Sequence, residues 1–155
     1  MVQLGSQCST YVQSQAAGAL LSISLINTDN KIKIAAAGAI APLVTLLGPQ
    51  ISARVQGKAA RALSSLAADN SNKVKIAAAG SILPLVALLG PQNTAEVQMN
   101  AANTLWNLAL DAENQVLIRS AGGIAALTYL SQSTTDTGIK SYANAALDAA
   151  NFNVW

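Results

Sequence analysis

Three cationic residues, Arg54, Lys58 and Arg61, recur at the three- and four-residue intervals that place side chains on one face of a helix. Guanidinium and ammonium groups gathered on one face bind carboxylates or phosphates, and arginine does so through two parallel N–H donors. The cluster therefore predicts a site for an acidic or phosphorylated segment. The alternative is that the three side chains form only the solvated face of a helix that packs through its other side.

Three asparagines, Asn100, Asn103 and Asn107, repeat the same helical spacing further along the chain. A side-chain amide both donates and accepts, so it pairs with the backbone N–H and C=O of an extended peptide in either direction. Asparagine is also a poor helix former, which favours a binding role for three of them on one face. A merely solvated face remains the alternative here too.

Catalytic motifs are absent from the sequence. It contains no histidine, and its seven acidic residues are scattered, so no Ser-His, Cys-His or histidine-metal arrangement is available. The glycines form neither a dinucleotide fingerprint nor a phosphate-binding loop. We therefore predict a protein that is not an enzyme and binds no cofactor or metal.

Composition predicts an intracellular protein with a packed core. Hydrophobic residues make up 52% and charged residues 10%, yet no apolar run is long enough to span a membrane. The residues after Met1 lack the pattern of a secretory signal, and the single cysteine, Cys8, has no partner for an internal disulfide. These features indicate a cytoplasmic protein, with the nucleus possible. A net charge of +2 is too small to imply nucleic-acid binding.

An internal repeat of 42 residues organises the chain. Residues 30–50 return as residues 72–92 with 17 of 21 positions identical, and a weaker copy begins at Asn114. Units of this length do not each close a core, so neighbours must stack into a solenoid. The sequence therefore predicts one domain, 1–155, made of a partial repeat (1–29) and the repeats 30–71, 72–113 and 114–155.

Each unit is predicted to contain three helices. The first runs from Asn30 to Ala37 and is broken by Gly38; the second is apolar and ends at Gly48; the third spans about Ser52–Ala67. Asp69-Asn70 is expected to close the unit. The partial repeat places Leu4-Gly5 at the end of a second helix. Four leucines at equivalent third-helix positions are expected to be buried, namely Leu20, Leu63, Leu105 and Leu147.

These residues resemble the armadillo repeat. The family pairs a second helix of the form Gly-Ala-Ile-x-x-Leu-Val-x-Leu-Leu with a third helix ending Ala-x-x-x-Leu-x-Asn-Leu-Ala. This chain has Gly38-Ala-Ile-Ala-Pro-Leu-Val-Thr-Leu-Leu47 and Ala101-Ala-Asn-Thr-Leu-Trp-Asn-Leu-Ala109. The repeats are most similar to the armadillo arrays of vacuolar, plant U-box and catenin-like proteins. HEAT repeats, the nearest alternative, usually have two helices and lack this glycine. The resemblance implies an all-α, right-handed α-solenoid of stacked three-helix armadillo repeats.

The resemblance further implies that third helices line a concave groove, in which importin-type members hold basic peptides with a ladder of Trp and Asn. Only Asn107 matches the Asn position of that ladder, which is otherwise occupied by Ser22, Ser65 and Ala149. The Trp position is held by Gly18, Arg61, Asn103 and Ala145. Binding of a basic localisation signal is therefore disfavoured, because Arg61 repels such a ligand.

Two aromatic residues lie on or beside the expected groove. Tyr142 occupies the position equivalent to Lys58 and Asn100, and large rings at such places commonly anchor a partner. Trp106 is either a second anchor or a residue that packs against the adjacent third helix. Four lysines of the first helices also recur with the period and predict a solvated basic ridge, the next candidate surface after the groove: Lys31, Lys33, Lys73 and Lys75.

We therefore interpret the sequence as a non-catalytic protein-binding scaffold whose groove holds an extended, neutral-to-acidic segment of a partner protein. A first alternative is an assembly fragment of a longer array that forms homo-oligomers through uncapped terminal repeats, since Val12 and Ile23 keep the apolar pattern of an internal repeat. A second is the substrate-recognition part of a larger ligase. We expect no nucleic-acid partner and no membrane insertion.

Overall fold

A computed structural model describes residues 9–151 of the protein. These residues form helices joined by short turns, and no strand occurs among them. Third helices are α1 (Thr10–Ser24), α4 (Ala53–Leu66), α7 (Ala95–Leu108) and α10 (Thr137–Asn151). First helices are α2 (Thr28–Ala36), α5 (Asn70–Ala78) and α8 (Ala112–Ser120), and second helices are α3 (Ile40–Thr45), α6 (Ile82–Leu88) and α9 (Gly123–Ser133). The predicted all-helical solenoid is confirmed.

Each first helix begins at a side-chain cap. Asn27, Asp69 and Asp111 accept a hydrogen bond from the backbone N–H three residues later, which satisfies one of the free donors at the helix start. Asp69 therefore opens α5, and the expectation that it closes the preceding unit is wrong. The caps are the reason why α2 starts at Thr28, before the predicted Asn30.

Glycine ends each first helix, as predicted. Gly38, Gly80 and Gly122 have φ angles of 83°, 80° and 77°, and they are the positive-φ residues of the described chain. A left-handed residue at this point turns the chain sharply, so the second helix begins within a few residues. Pro42 is the third residue of α3, where a proline removes no hydrogen bond from the helix.

The helices stack in layers. Third helices pack in chain order, α1 on α4, α4 on α7 and α7 on α10, while the first helices α2, α5 and α8 pack on one another. Leu20, Leu63 and Leu105 are buried between them as predicted, and Leu147 is half-buried. Val12 of α1 is 40% exposed, whereas the equivalent Val55 is fully buried on α4, which packs against both α1 and α3.

Asparagines fasten the first helices to one another. The Nδ2 of Asn72 donates to the backbone oxygen of Lys31 at 3.2 Å, and the Nδ2 of Asn114 donates to that of Lys73 at 3.3 Å. Both asparagines are buried. A buried amide without such bonds would destabilise the protein, so these residues fix the register between neighbouring repeats.

α10 differs from the other third helices on one face. This face corresponds to the side of α4 that packs against α7. On α4 and the residue that follows it, this face carries buried side chains, those of Gln56, Ala60, Ser64 and Ala67. In α10 the equivalent residues are polar and exposed, namely Lys140, Asn144, Asp148 and Asn151. The face of α10 that corresponds to the buried face of α4 is therefore polar, as the outer faces of capping repeats are.

Some expectations fall on residues that the structure does not describe. The end of a second helix at Leu4-Gly5 and the environment of Cys8 both lie outside residues 9–151. Within the described part of the chain, no helix has the length and apolar character needed to cross a membrane.

Candidate functional site

The stack of third helices brings the predicted binding residues onto neighbouring elements. Arg54, Lys58 and Arg61 lie on α4, the three asparagines and Trp106 lie on α7, and Tyr142 lies on α10. Because α4 packs on α7 and α7 packs on α10, the cationic, amide and aromatic groups occupy successive positions along one layer.

The three cationic side chains have different surroundings. Arg54 and Arg61 are exposed, whereas Lys58 is half-buried and its Nζ donates to the backbone oxygen of Ser14 on α1 at 3.4 Å. A methyl group on Gly18 would lie 3.6 Å from the same Nζ, an ordinary contact distance, so the lysine side chain also passes close to Gly18 of α1. Lys58 therefore bridges two helices, and the two arginines present the accessible charge.

One carboxylate lies beside this cationic group. The Glu96 side chain of α7 covers Gly57 of α4, at 3.7 Å from the position that a Cβ would occupy. Gly57 directly precedes Lys58, so the acid lies close to the cluster without cancelling three positive charges. The local surface remains cationic.

The three asparagines serve different purposes. Asn100 is only 9% exposed and its Nδ2 donates to the backbone oxygen of Gly57 at 3.2 Å. The Nδ2 of Asn107, which is half-buried, donates to the hydroxyl of Ser64 at 3.1 Å. Asn103 is half-buried and forms no side-chain hydrogen bond to residues 9–151. Asn103 is thus the amide that the fold leaves most available.

Sequence reasoning missed Thr104. The hydroxyl of this fully buried residue lies 2.7 Å from the backbone oxygen of Asn100 in its own helix and 2.9 Å from that of Ala60 in the neighbouring third helix, and it can donate to either. The helical spacing of Thr104, four residues after Asn100 and three before Asn107, was the available signal. Together with Asn100 and Asn107, it shows that polar side chains help to join α7 to α4.

Trp106 and Tyr142 form an aromatic pair. Their ring centroids lie 6.1 Å apart with an angle of 42° between the planes, within the usual range for tilted aromatic contacts. Both side chains are partly buried. Trp106 therefore packs against the adjacent third helix, which is one of the two roles that the sequence predicts for it. Part of its side chain remains exposed and accessible to a partner.

The predicted ridge of four solvated lysines is wrong at one position. Lys73 is 5% exposed and its Nζ donates to the Oδ1 of Asn70 at 2.8 Å. Lys33 and Lys75 are exposed, and Lys31 is half-buried. The ridge is interrupted there because the Lys73 side chain is buried and its ammonium group bonds to Asn70 of the same helix.

Two further observations concern the charged groups of residues 9–151. No cluster of three or more His, Cys, Asp or Glu side chains suitable for a metal ion occurs in this range. The pKa of Asp69 is lowered, chiefly because its carboxylate accepts a hydrogen bond from the Ser71 hydroxyl, and further because backbone N–H groups and the Lys73 charge stabilise the ionised form.

Comparison with protein families agrees with the repeat. The model of the Armadillo/beta-catenin-like repeat matches residues 27–68 and 69–110. These ranges have the predicted length of 42 residues and begin at Asn27 and Asp69, two of the three residues that cap first helices. The match covers more than half of the chain.

Solved structures show the same architecture. An engineered protein from the Northeast Structural Genomics Consortium has a TM-score of 0.89 and 33% identity, over 97% of this chain and 61% of its own. A designed armadillo repeat protein has a TM-score of 0.88 and 34% identity, over 97% of this chain and 63% of its own.

Another designed armadillo repeat protein, solved in complex with the peptide (KR)4, has a TM-score of 0.86 and 32% identity, over 97% of this chain and 62% of its own. This chain therefore spans less than two thirds of the length of the structures that it matches. No curated protein matches the sequence significantly. The repeat, its three helices and these likenesses establish that the chain belongs to the armadillo repeat family.

Proposed function

We propose that this protein is a non-catalytic peptide-binding module, and that its ligand is an extended, neutral-to-acidic segment of a partner protein. The ligand lies across the layer of third helices. One observation carries the proposal: exposed Arg54 and Arg61 lie on α4, half-buried Asn103 lies on the neighbouring α7, and the Trp106–Tyr142 pair joins α7 to α10.

The charge of the surface supports a ligand that is not basic. The designed armadillo protein that was solved with (KR)4 binds a cationic peptide. In the present chain, Arg61 occupies the position where importin-type members carry a ladder Trp, and Arg54 and Lys58 lie on the same face. Three cations against the single Glu96 repel lysine and arginine and attract carboxylates or phosphates.

The neutral groups supply the remaining contacts. The amide of Asn103 can donate to a peptide carbonyl and accept from a peptide N–H. Beyond it, the aromatic pair offers a large contact area at small entropic cost, as anchors in peptide-binding surfaces do. Ligand charge at the α4 end and a large side chain at the α10 end would fix the direction of the peptide. A cytoplasmic or nuclear setting belongs to the same proposal.

The experiment compares three probe peptides of about eight residues, alternating Ser-Glu, Ser-Gln and Lys-Arg, by fluorescence anisotropy at two salt concentrations. We expect the acidic probe to bind more tightly than the basic one and to lose affinity as salt rises. In the double variant Arg54→Glu and Arg61→Glu, affinity for the acidic probe should fall roughly tenfold. Tighter binding of the Lys-Arg peptide to the wild type would refute the proposed ligand charge.

A matched control uses the exposed lysines of the first helices. The double variant Lys33→Glu and Lys75→Glu changes the net charge by the same amount, on helices outside the third-helix layer. It should leave the affinity for this short probe nearly unchanged, because the Ser-Glu peptide brings no apolar side chain to the surface of the first helices. An equal loss in both variants would show that net charge alone, and not the third-helix layer, determines binding.

One observation favours a second candidate function, assembly with other copies or with further repeats. On and just after α1, a set of large apolar side chains is exposed, namely those of Tyr11, Val12, Ile23, Leu25 and Ile26. Such a patch is a typical interaction surface. Sedimentation of the wild type and of Ile23→Lys tests this, since a monomer at high micromolar concentration with no change in the variant would dismiss it.

A further inference from the structure

A cavity of about 280 Å³ opens on the side of the first and second helices, away from the third-helix layer. It lies between α5, α6 and α8, where the second described unit meets the third. Its walls are almost entirely apolar and include Ala77, Ile82, Leu83, Leu117 and Ala121, with Ser120 at one side. The Ser120 hydroxyl donates to the backbone oxygen of Val116, so it adds little polarity.

The cavity does not follow from the repeat. One period earlier, Leu117 is replaced by Lys75, Leu83 by Ala41 and Ser120 by Ala78. Two of the residues that make this site apolar are thus particular to this junction. They are also costly to expose, since Leu83 is 69% and Leu117 is 47% accessible to solvent. Paired exposed leucines at the mouth of a cavity indicate a surface that is covered in a complex.

The surroundings of the cavity specify the chemistry of the partner. Val116 and Val74, at equivalent positions on α8 and α5, extend the apolar surface across the first helices. Lys75, also exposed, holds on α5 the place that Leu117 holds on α8. Equivalent residues of packed helices lie roughly 10 Å apart. The apolar cavity beside Leu117 of α8 therefore has a positive charge, that of Lys75, on the neighbouring helix α5.

We propose that this cavity is a second docking site and that it binds an acidic amphipathic helix of a partner protein. The partner inserts a Leu or Phe side chain between Leu83 and Leu117 and places a Glu or Asp near Lys75. In a helix, residues seven positions apart lie on one face and are separated by about 10 Å, which matches the spacing of α8 and α5. A second acidic residue of the partner helix, seven positions beyond the first, lies near Lys33 on α2, the position equivalent to Lys75.

The probes are helical peptides of about 20 residues in an Ala/Gln background, with Leu at one position and Glu seven and fourteen positions away. Versions with the Glu residues on either side of Leu cover both orientations. Matched peptides replace Leu by Ala or both Glu by Gln. Binding is followed through the methyl NMR signals of Leu83 and Leu117. We expect those signals to shift with the Leu/Glu peptide in one orientation, and affinity to fall at least roughly fivefold with either replacement.

The protein variants use the repeat itself as a guide. Leu117→Lys and Leu83→Ala restore the residues found one period earlier, so each should fold, as a thermal melt verifies. Both should weaken binding roughly tenfold or more, whereas Leu110→Lys, at an exposed site on the turn after α7, should not. The groove variant Arg54→Glu with Arg61→Glu should bind the helical peptide normally, which keeps this test independent of the proposed groove function.

Three results would overturn the inference. The first is equal affinity of the wild type, Leu117→Lys and Leu83→Ala for the Leu/Glu peptide. The second is the absence of methyl shifts with every peptide at millimolar concentration. The third is a concentration-dependent dimer of the wild type that Leu117→Lys abolishes, because the surface would then be covered by another copy of this chain.

Discussion

The Tyr142 ring of α10 leans against the Trp106 ring of α7, with 6.1 Å between the ring centroids. The same pair therefore joins two repeats and forms part of the proposed peptide surface. Tyr142→Ala should lower the free energy of unfolding by about 1 kcal/mol or more, since the pair energy and the buried ring area are both lost. It should also lower the affinity for the acidic probe peptide. Tyr142→Phe should preserve both the stability and the affinity. Denaturant unfolding and anisotropy measure the two effects, and an equal loss with Phe would assign the role to the hydroxyl.

The buried amide of Asn100 and the more accessible one of Asn103 should respond oppositely to substitution. Asn100→Ala removes the bond to the Gly57 carbonyl and should cost about 1–2 kcal/mol of stability. Asn103→Ala should change stability by less than about 0.5 kcal/mol and should weaken peptide binding at every salt concentration. Urea unfolding combined with anisotropy separates them. A large loss of stability for Asn103→Ala would show that this amide, too, belongs to the packing.

Equivalent leucines of successive third helices should differ in their contribution to stability. Leu63→Ala and Leu105→Ala each remove a fully buried side chain and should cost roughly 2–5 kcal/mol. Leu147→Ala, at a half-buried site on α10, should cost clearly less. Chemical denaturation of the three variants checks the order, and equal losses at Leu147 and Leu105 would contradict the burial described for α10.

The Asp69 cap should give stability a pH dependence in the acid range. Its pKa is lowered in the folded state, so its stabilisation is complete above the pKa of an unfolded aspartate, near 3.9, and disappears as pH falls through the lower folded pKa. Asp69→Asn keeps a capping oxygen but does not titrate, and Asp69→Ala should cost about 1 kcal/mol at neutral pH. The stability difference between wild type and Asp69→Asn should therefore change below pH 4. A difference that stays constant down to pH 2 would exclude this linkage.

The polar outer face of α10 should keep that end of the stack from associating. Four substitutions copy the face of α4 onto α10: Lys140→Gln, Asn144→Ala, Asp148→Ser and Asn151→Ala. Because the copied face is one that buries against a neighbouring third helix, the variant should self-associate at lower concentration than the wild type. Analytical ultracentrifugation measures this. Unchanged sedimentation would show that the polar residues do not control association at this end.

Much of the architecture follows from the sequence because each repeated signal has one physical meaning. Gly38 and its two equivalents predict the break after the first helix, and the recurring Leu63 position predicts the core. The sequence prediction is wrong at Asp69, which it assigns to the end of a unit, because a cap before a helix and a polar residue after one look alike in sequence. Only the side-chain hydrogen bond distinguishes them.

The candidate site was less predictable than the fold. Helical spacing places Asn100, Asn103 and Asn107 on one side of α7, and it does not reveal how far that side turns toward α4. The structure shows that Asn100 and Asn107 bond to α4 while Asn103 does not. The cavity beside Leu117 does not follow from the repeat either, because it arises from residues at which neighbouring units differ.

The glycines at the ends of the first helices have a stereochemical consequence. A methyl group built on Gly80 or Gly122 would meet no atom within 4 Å, yet their φ angles of 80° and 77° disfavour an L-residue. What excludes alanine there is the handedness of the amino acid and not the space around it. A D-alanine introduced at either position by chemical ligation would fit the existing torsion angles and restrict the unfolded chain, so it should stabilise a fold that its mirror-image L-alanine would strain.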